Sequence, residues 1–257
     1  MNELININYD SERPTVLGRD LHKLLEVKTA YKDWFPRMVE YGFTEGTDFC
    51  SFLSESTGGR PRQDHQLTID MAKEICMLQR TERGKQARQY FIQIEKDWNS
   101  PEKVLERARM IEDQKRLAIR NELKTHNKAL ADAAHDAGVT EPIDYAIFQN
   151  KGYQGLYGGM TRKDIHEHKG LKKNQDILDH MGSTELAANL FRATQTEEKL
   201  RRENIRGKEK ANQTHYDVGA KVRKTMQEIS GTMPEDLPTP EKSIKQIERE
   251  QKKLPKK

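Results

Sequence analysis

The most pointed chemistry in this sequence is carried by the lysines and arginines of its C-terminal half. Arg162, Lys163, Lys169, Lys172 and Lys173 fall close together, and Arg201, Arg202, Arg206, Lys208, Lys210, Lys221, Arg223 and Lys224 follow. Phosphate contacts need cations in such number, and binding through them falls steeply with salt. Glu197, Glu198, Glu203 and Glu209 dilute the later group, so a solvated charged surface accounts for it as well. Tyr153 and Tyr157 offer a stacking platform for unpaired bases. They stand among Gly152, Gly155, Gly158 and Gly159, a segment without the spacing of a P-loop or a dinucleotide fingerprint. It reads instead as a backbone turn needing positive φ, or as a docking loop. The run DILDHMGSTELAANLFR reads as helix, glycine turn and second helix, which suits a helix-turn-helix or an ordinary helical hairpin. In the first case Thr184, Glu185, Asn189 and Arg192 lie on the outer side, where Asn and Arg read adenine and guanine edges.

The N-terminal part carries residue types suited to a protein partner. Trp34, Phe35 and Arg37 in DWFPR, with Arg60 and Arg62 in GGRPR, are candidate partner-binding residues. Trp34 and Phe35 suit a core equally well. Covalent chemistry finds no such support: no nucleophile stands beside a base, and no carboxylates pair in a pocket-like context. His166 and His168, two apart, face different sides of a helix and do not form a metal site, while His180 and His215 stand elsewhere. Cys76, between Ile75 and Met77, reads as a small buried hydrophobe, and Cys50 gives it no disulfide framework. The expectation is a binding protein, not an enzyme, with no cofactor, metal or catalytic residue.

The 257 residues allow two ordinary domains. Hydrophobic residues make up 34% and charged residues 33%, with mean hydropathy −0.97, polar for a globular chain. That balance predicts an elongated or multi-part helical protein whose surface is completed by partners or self-association. The net charge of +4 is unevenly spread: residues 1–98 hold 14 Lys/Arg against 16 Asp/Glu, and the remainder 31 against 25. An electrostatic footprint for DNA therefore belongs in the C-terminal part. Neither a signal peptide nor an apolar run of membrane length is visible, so a cytoplasmic protein is expected.

Residues 1–98 read as one α+β unit. ELININY alternates like a strand, and LGRDLHKLLEV and TAYKDWFPRMVEYG are helical, with Thr29 as a cap and Pro36 requiring a first turn or a kink. TDFCSFL and DHQLTI flank a long basic tip as a hairpin, and two helices end at Trp98. Ser100 and Pro101 restart the chain as a long charged helix over 99–137, closed by Gly138. Its thin seam of Val104, Leu105, Ala108, Ile111, Leu117, Ile119, Leu123 and Leu130 points to helix pairing and homo-oligomerisation. A mostly α-helical domain follows over 138–230, its later helix capped by Ser183, and the Pro/Lys-rich tail 231–257 is expected to be largely extended or disordered.

Two families share these words. Residues 16–98, with LGRDLHKLL, DWFPRMVEYGFTEGTDF, GGRPRQDHQLTIDMAKEICM and GKQARQYFIQIEKDW, resemble the AntA/AntB-type domain of phage antirepressors. Residues from about 116 to 247 resemble the DNA-damage-inducible protein D family, through RLAIRNELKTHNKAL, FQNKGYQGLYGG, KGLKKNQDILDHMGSTELAANLFRATQTEEKL, THYDVGAKVR and GTMPEDLPTP. The first resemblance implies a prophage protein that binds a phage repressor and releases lytic genes. The second implies action on host recombinase filaments in the SOS response, and departs from that family in carrying an antirepressor head. Neither implies a catalytic residue. The leading expectation is an antirepressor acting by direct contact with a phage repressor protein; the alternative is a DNA-binding regulator or filament modulator working through the basic half.

Overall fold

The computed structural model describes residues 4–9, 13–54 and 61–253. The chain divides into two compact units, residues 1–106 and 107–257. An α+β head, a long helix and a helical C-terminal region follow one another as expected.

In the first unit, β1 (Ile7–Asn8), β2 (Thr15–Leu17), β3 (Phe49–Ser54) and β4 (Arg62–Thr68) form an antiparallel sheet in the order β1-β2-β4-β3. Its register follows from one apolar row. Ile7 stands opposite Val16, Val16 opposite Leu67, and Leu67 opposite Phe49, and all four are buried. A slip of one residue would turn that row to solvent. Helices α1 (Gly18–Leu24), α2 (Tyr31–Val39), α3 (Ile69–Leu78) and α4 (Glu82–Trp98) complete the unit. Thr68 and Thr81 cap α3 and α4 by accepting from Met71 N and Gly84 N at 3.2 and 3.0 Å. Thr29 does not cap α2; Ala30 holds that position without a side-chain bond, and Pro36 lies inside the helix on its exposed side. Cys76 is core, and burial pushes its thiol up to about 12.

Helix α5 (Pro101–Asp136) starts where Ser100 and Pro101 place it, and all of it from Arg107 on belongs to the second unit. Leu117, Leu123 and Leu130 are buried there, whereas Val104, Leu105 and Ile111 are exposed. The second unit continues with α6 (Pro142–Leu156), α7 (Arg162–His168), a 3-10 helix (Ile177–His180), α8 (Ser183–Arg202), α9 (Lys208–Ile229), a 3-10 turn (Pro234–Asp236) and α10 (Ile244–Lys253). Residues 142–156, read as a glycine turn or docking loop, are a helix. Gly152 and Gly155 let it meet α9 closely: a Cβ on Gly155 would sit 2.2 Å from Tyr216 O. Gly158 and Gly159, just beyond the helix, do take positive φ. The tail is another correction, since Ile244 and Ile247, three apart, bury one side of α10. Among the described residues no helix is long and apolar enough to cross a membrane.

Candidate functional site

In the first unit, Trp34, Arg37 and Met38 of α2, with Glu40 and Tyr41 just after it, surround an open pocket of about 430 Å³. Trp34 and Phe35 are 3% and 4% exposed, so they are core residues and not surface anchors. Phe35 stacks on His65 with centroids 3.7 Å apart, and Tyr31 OH meets His65 Nδ1 at 2.9 Å. Trp34 forms the inner wall of the pocket, and its indole N–H has no partner among the described residues. Arg37 is exposed at the rim, with its Nε donating to Asp33 O at 2.8 Å. Tyr41, which sequence reasoning missed, is largely exposed beside it. Arg62 is exposed at the start of β4, and Arg60 lies outside the described residues.

The second unit overturns the base-reading assignment. The segment before α8 is one 3-10 turn, and the four residues placed on an outer face do not form one. Asn189 and Arg192 are 0% and 1% exposed, and Glu185 is fully buried. Ser183 is not the cap but the first helical residue; its N–H and Oγ both donate to Glu112, at 2.7 Å each. Tyr153 and Tyr157 are also buried and stack on no ligand surface. Tyr157 OH donates to Glu185 Oε1 at 2.8 Å, Asn189 Nδ2 donates to Tyr157 OH at 2.9 Å, and Arg192 lies over the Tyr153 ring at 4.9 Å. Lys169 leaves the candidate surface as well. Its Nζ reaches Glu185 Oε2 at 2.8 Å in a buried pair. Burial holds the Glu185 carboxyl above the usual range, against the pull of Lys169. These polar groups went inward because each finds its partner there, from a distant part of the chain.

Other basic residues stay outside. Arg162, Lys163 and Lys173 line an open cleft of about 970 Å³, whose walls include Tyr145, Gln149 and Asn150 of α6, and Lys172 is exposed next to it. Arg162 pairs with Asp176 at 3.0 Å and Lys163 with Glu167 at 3.7 Å. His166 Nε2 donates to Lys172 O and Gln175 O, at 3.1 and 3.2 Å, while His168 Nε2 donates to Glu235 O at 3.1 Å. The two rings thus leave α7 in different directions and brace different segments. Arg201, Arg202 and Arg206 gather elsewhere, at the end of α8. Arg201 meets Glu197 at 3.2 Å, Arg202 meets Glu198 at 3.0 Å, and Arg206 donates to Asp136 O. The i,i+4 spacing of Tyr145 and Gln149 was available in PIDYAIFQN, but it carries meaning only once that segment is a helix.

Residues 110–247, more than half of the chain, match the DinD C-terminal domain. The chain belongs to the DinD C-terminal domain family. Residues 16–81 match the AntA/AntB antirepressor domain. Both resemblances read from the sequence are borne out, the first over a shorter span than 16–98. DNA damage-inducible protein D of Escherichia coli (strain K12) is 70% identical over 137 residues, 53% of this chain and 50% of that protein. The chain spans about half the length of that relative. The cleft lies wholly within the stretch that matches the DinD family, and the α2 pocket within the stretch that matches the antirepressor domain.

Proposed function

We propose that this protein is a prophage antirepressor that inactivates a phage repressor protein by direct contact, promoting lytic induction in a DNA-damage (SOS) context. The observation that carries the reading is the AntA/AntB match over residues 16–81. The α2 pocket supports it: Arg37 and Tyr41, exposed at its rim, are residue types that anchor interfaces. The protein acts by binding and has no catalytic role. It works in the cytoplasm of the bacterial host as a homo-oligomer joined through the exposed apolar residues at the start of α5. The test is an operator gel-shift with the cognate repressor. Added protein is expected to release the operator, and Arg37→Glu with Tyr41→Ala to weaken that release by about 2 kcal/mol. A repressor that stays on its operator under excess protein sinks the reading.

The exposed cations of the second unit, around its cleft and at the end of α8, favour a second reading, a DNA-binding regulator or a modulator of host recombinase filaments. It predicts nucleic-acid affinity that falls steeply with salt and is lost when Lys172, Lys173, Arg201 and Arg202 are neutralised together.

A further inference from the structure

We infer that the cleft of the second unit seats one unpaired nucleotide of a single strand, its base against Tyr145 and Gln149 and its phosphate at Arg162 and Lys173. The inference rests on the nucleic-acid reading of that unit and is independent of the repressor reading. At about 970 Å³ the cleft has the size of a small-ligand site, whereas a base stacked within a duplex cannot enter it. Asn189 and Arg192 of α8 are internal and do not read base edges in a groove.

Tyr145 and Gln149 stand one turn apart on α6 and so share a face of it. The Tyr145 hydroxyl reaches Ala131 O at 3.5 Å, and among the described residues its ring has no aromatic neighbour. The Gln149 amide makes no hydrogen bond among the described residues, which leaves a donor and an acceptor for a base edge. Any base can stack on an aromatic side chain, so Tyr145 supplies affinity and Gln149 preference.

The rim sets the charge of the ligand. Arg162, Lys163 and Lys173 face Glu167 and Asp176, an excess of one positive charge, which suits one phosphodiester better than the dianionic phosphate of a free nucleotide. The Arg162–Asp176 and Lys163–Glu167 pairs are open to solvent and worth little, so a phosphate exchanges with them cheaply. Lys173 makes no ion pair among the described residues. The walls are set beforehand. Asn150 Oδ1 accepts from Arg162 N at 3.0 Å, Gln175 Oε1 accepts from Lys172 N at 2.7 Å, and His166 ties down the same loop. A preformed site spends less of its binding energy on ordering.

The test is fluorescence anisotropy of the full-length protein with a labelled 20-nucleotide single strand of mixed sequence. Its duplex and free dAMP serve as competitors. The wild type is expected to bind the single strand, with duplex and dAMP competing at least about tenfold more weakly. Tyr145→Ala should weaken binding roughly 5- to 100-fold and Tyr145→Phe by no more than about twofold. Lys173→Gln should lower the salt slope by about 0.7. Melting curves monitor the fold; should Tyr145→Ala melt early, Gln149→Ala and Lys173→Gln carry the test. Strand binding unchanged in all three variants overturns the cleft assignment alone. Equal competition by dAMP overturns it in favour of a free nucleotide. Absence of strand binding at low salt overturns both this inference and the nucleic-acid reading, and leaves the repressor reading standing.

Discussion

Arg192 is the residue whose placement is most costly and most informative. It is buried without a carboxylate, held by Asn189 Oδ1 at 3.2 Å, the Tyr153 ring and His215 Nε2. His215 Nδ1 donates to Phe148 O at 2.9 Å, which leaves Nε2 as the acceptor for the guanidinium. A proton on Nε2 would remove that acceptor and set two cations side by side. Burial first, then Arg192, therefore hold His215 well below its ordinary value. Above about pH 6.5 the ring is neutral in both folded and unfolded chains and adds no pH dependence. Below it the unfolded chain takes the proton and the native one does not, so stability falls by up to about 1.4 kcal/mol per pH unit. Urea midpoints should drop between pH 6.5 and 5, and less steeply in His215→Gln. His65 and His180 are lowered too, mainly by burial, so part of the slope survives in that variant. Equal slopes would sink the assignment to His215. Gly155→Ala tests the neighbouring contact: the new Cβ would meet Tyr216 O and Ala220 N, backbone atoms that cannot rotate away. Its cost should be about 3 kcal/mol, read from the denaturation midpoint.

Among the elements, α10 shows how a weak sequence signal becomes a firm structural one. Its chain is strongly polar, yet Ile244 and Ile247 are buried. Arg116 fastens the segment before it, donating to Lys242 O at 2.9 Å and to Met181 O at 2.9 Å, and Lys245 reaches Asp179 at 3.1 Å. Ile247→Ala should cost about 2–4 kcal/mol of stability. A change under about 0.5 kcal/mol would mean that α10 does not dock in solution. Helix α5 divides the other way. Leu123→Ala, in the core, should cost about 2–5 kcal/mol. Val104→Asp with Ile111→Asp, on the exposed stretch, should leave helicity intact and shift sedimentation to the monomer. A wild type that sediments as a monomer at every concentration would remove the oligomer from the proposal.

For the whole molecule, two separate cores predict more than one unfolding transition. Phe91→Ala, in the first core, should cost about 3–5 kcal/mol and lower one calorimetric transition while leaving the other in place. A single transition shifting as a whole would show that the units unfold together.

The sequence by itself determined what local rules can determine. The β3–β4 hairpin, the helices after it, the start of α5 at Pro101 and its glycine end all rest on alternation, turn residues and caps within a few positions. The family words were equally legible. Only the tertiary structure decided which side of α8 faces inward, whether a glycine marks a turn or a close helix contact, and which cations remain in water. Periodicity fixes the spacing of side chains but not the identity of their neighbours. Glu185, Asn189 and Arg192 look like a surface until Lys169, Tyr157 and His215 arrive from 16, 32 and 23 residues away and satisfy them in the core.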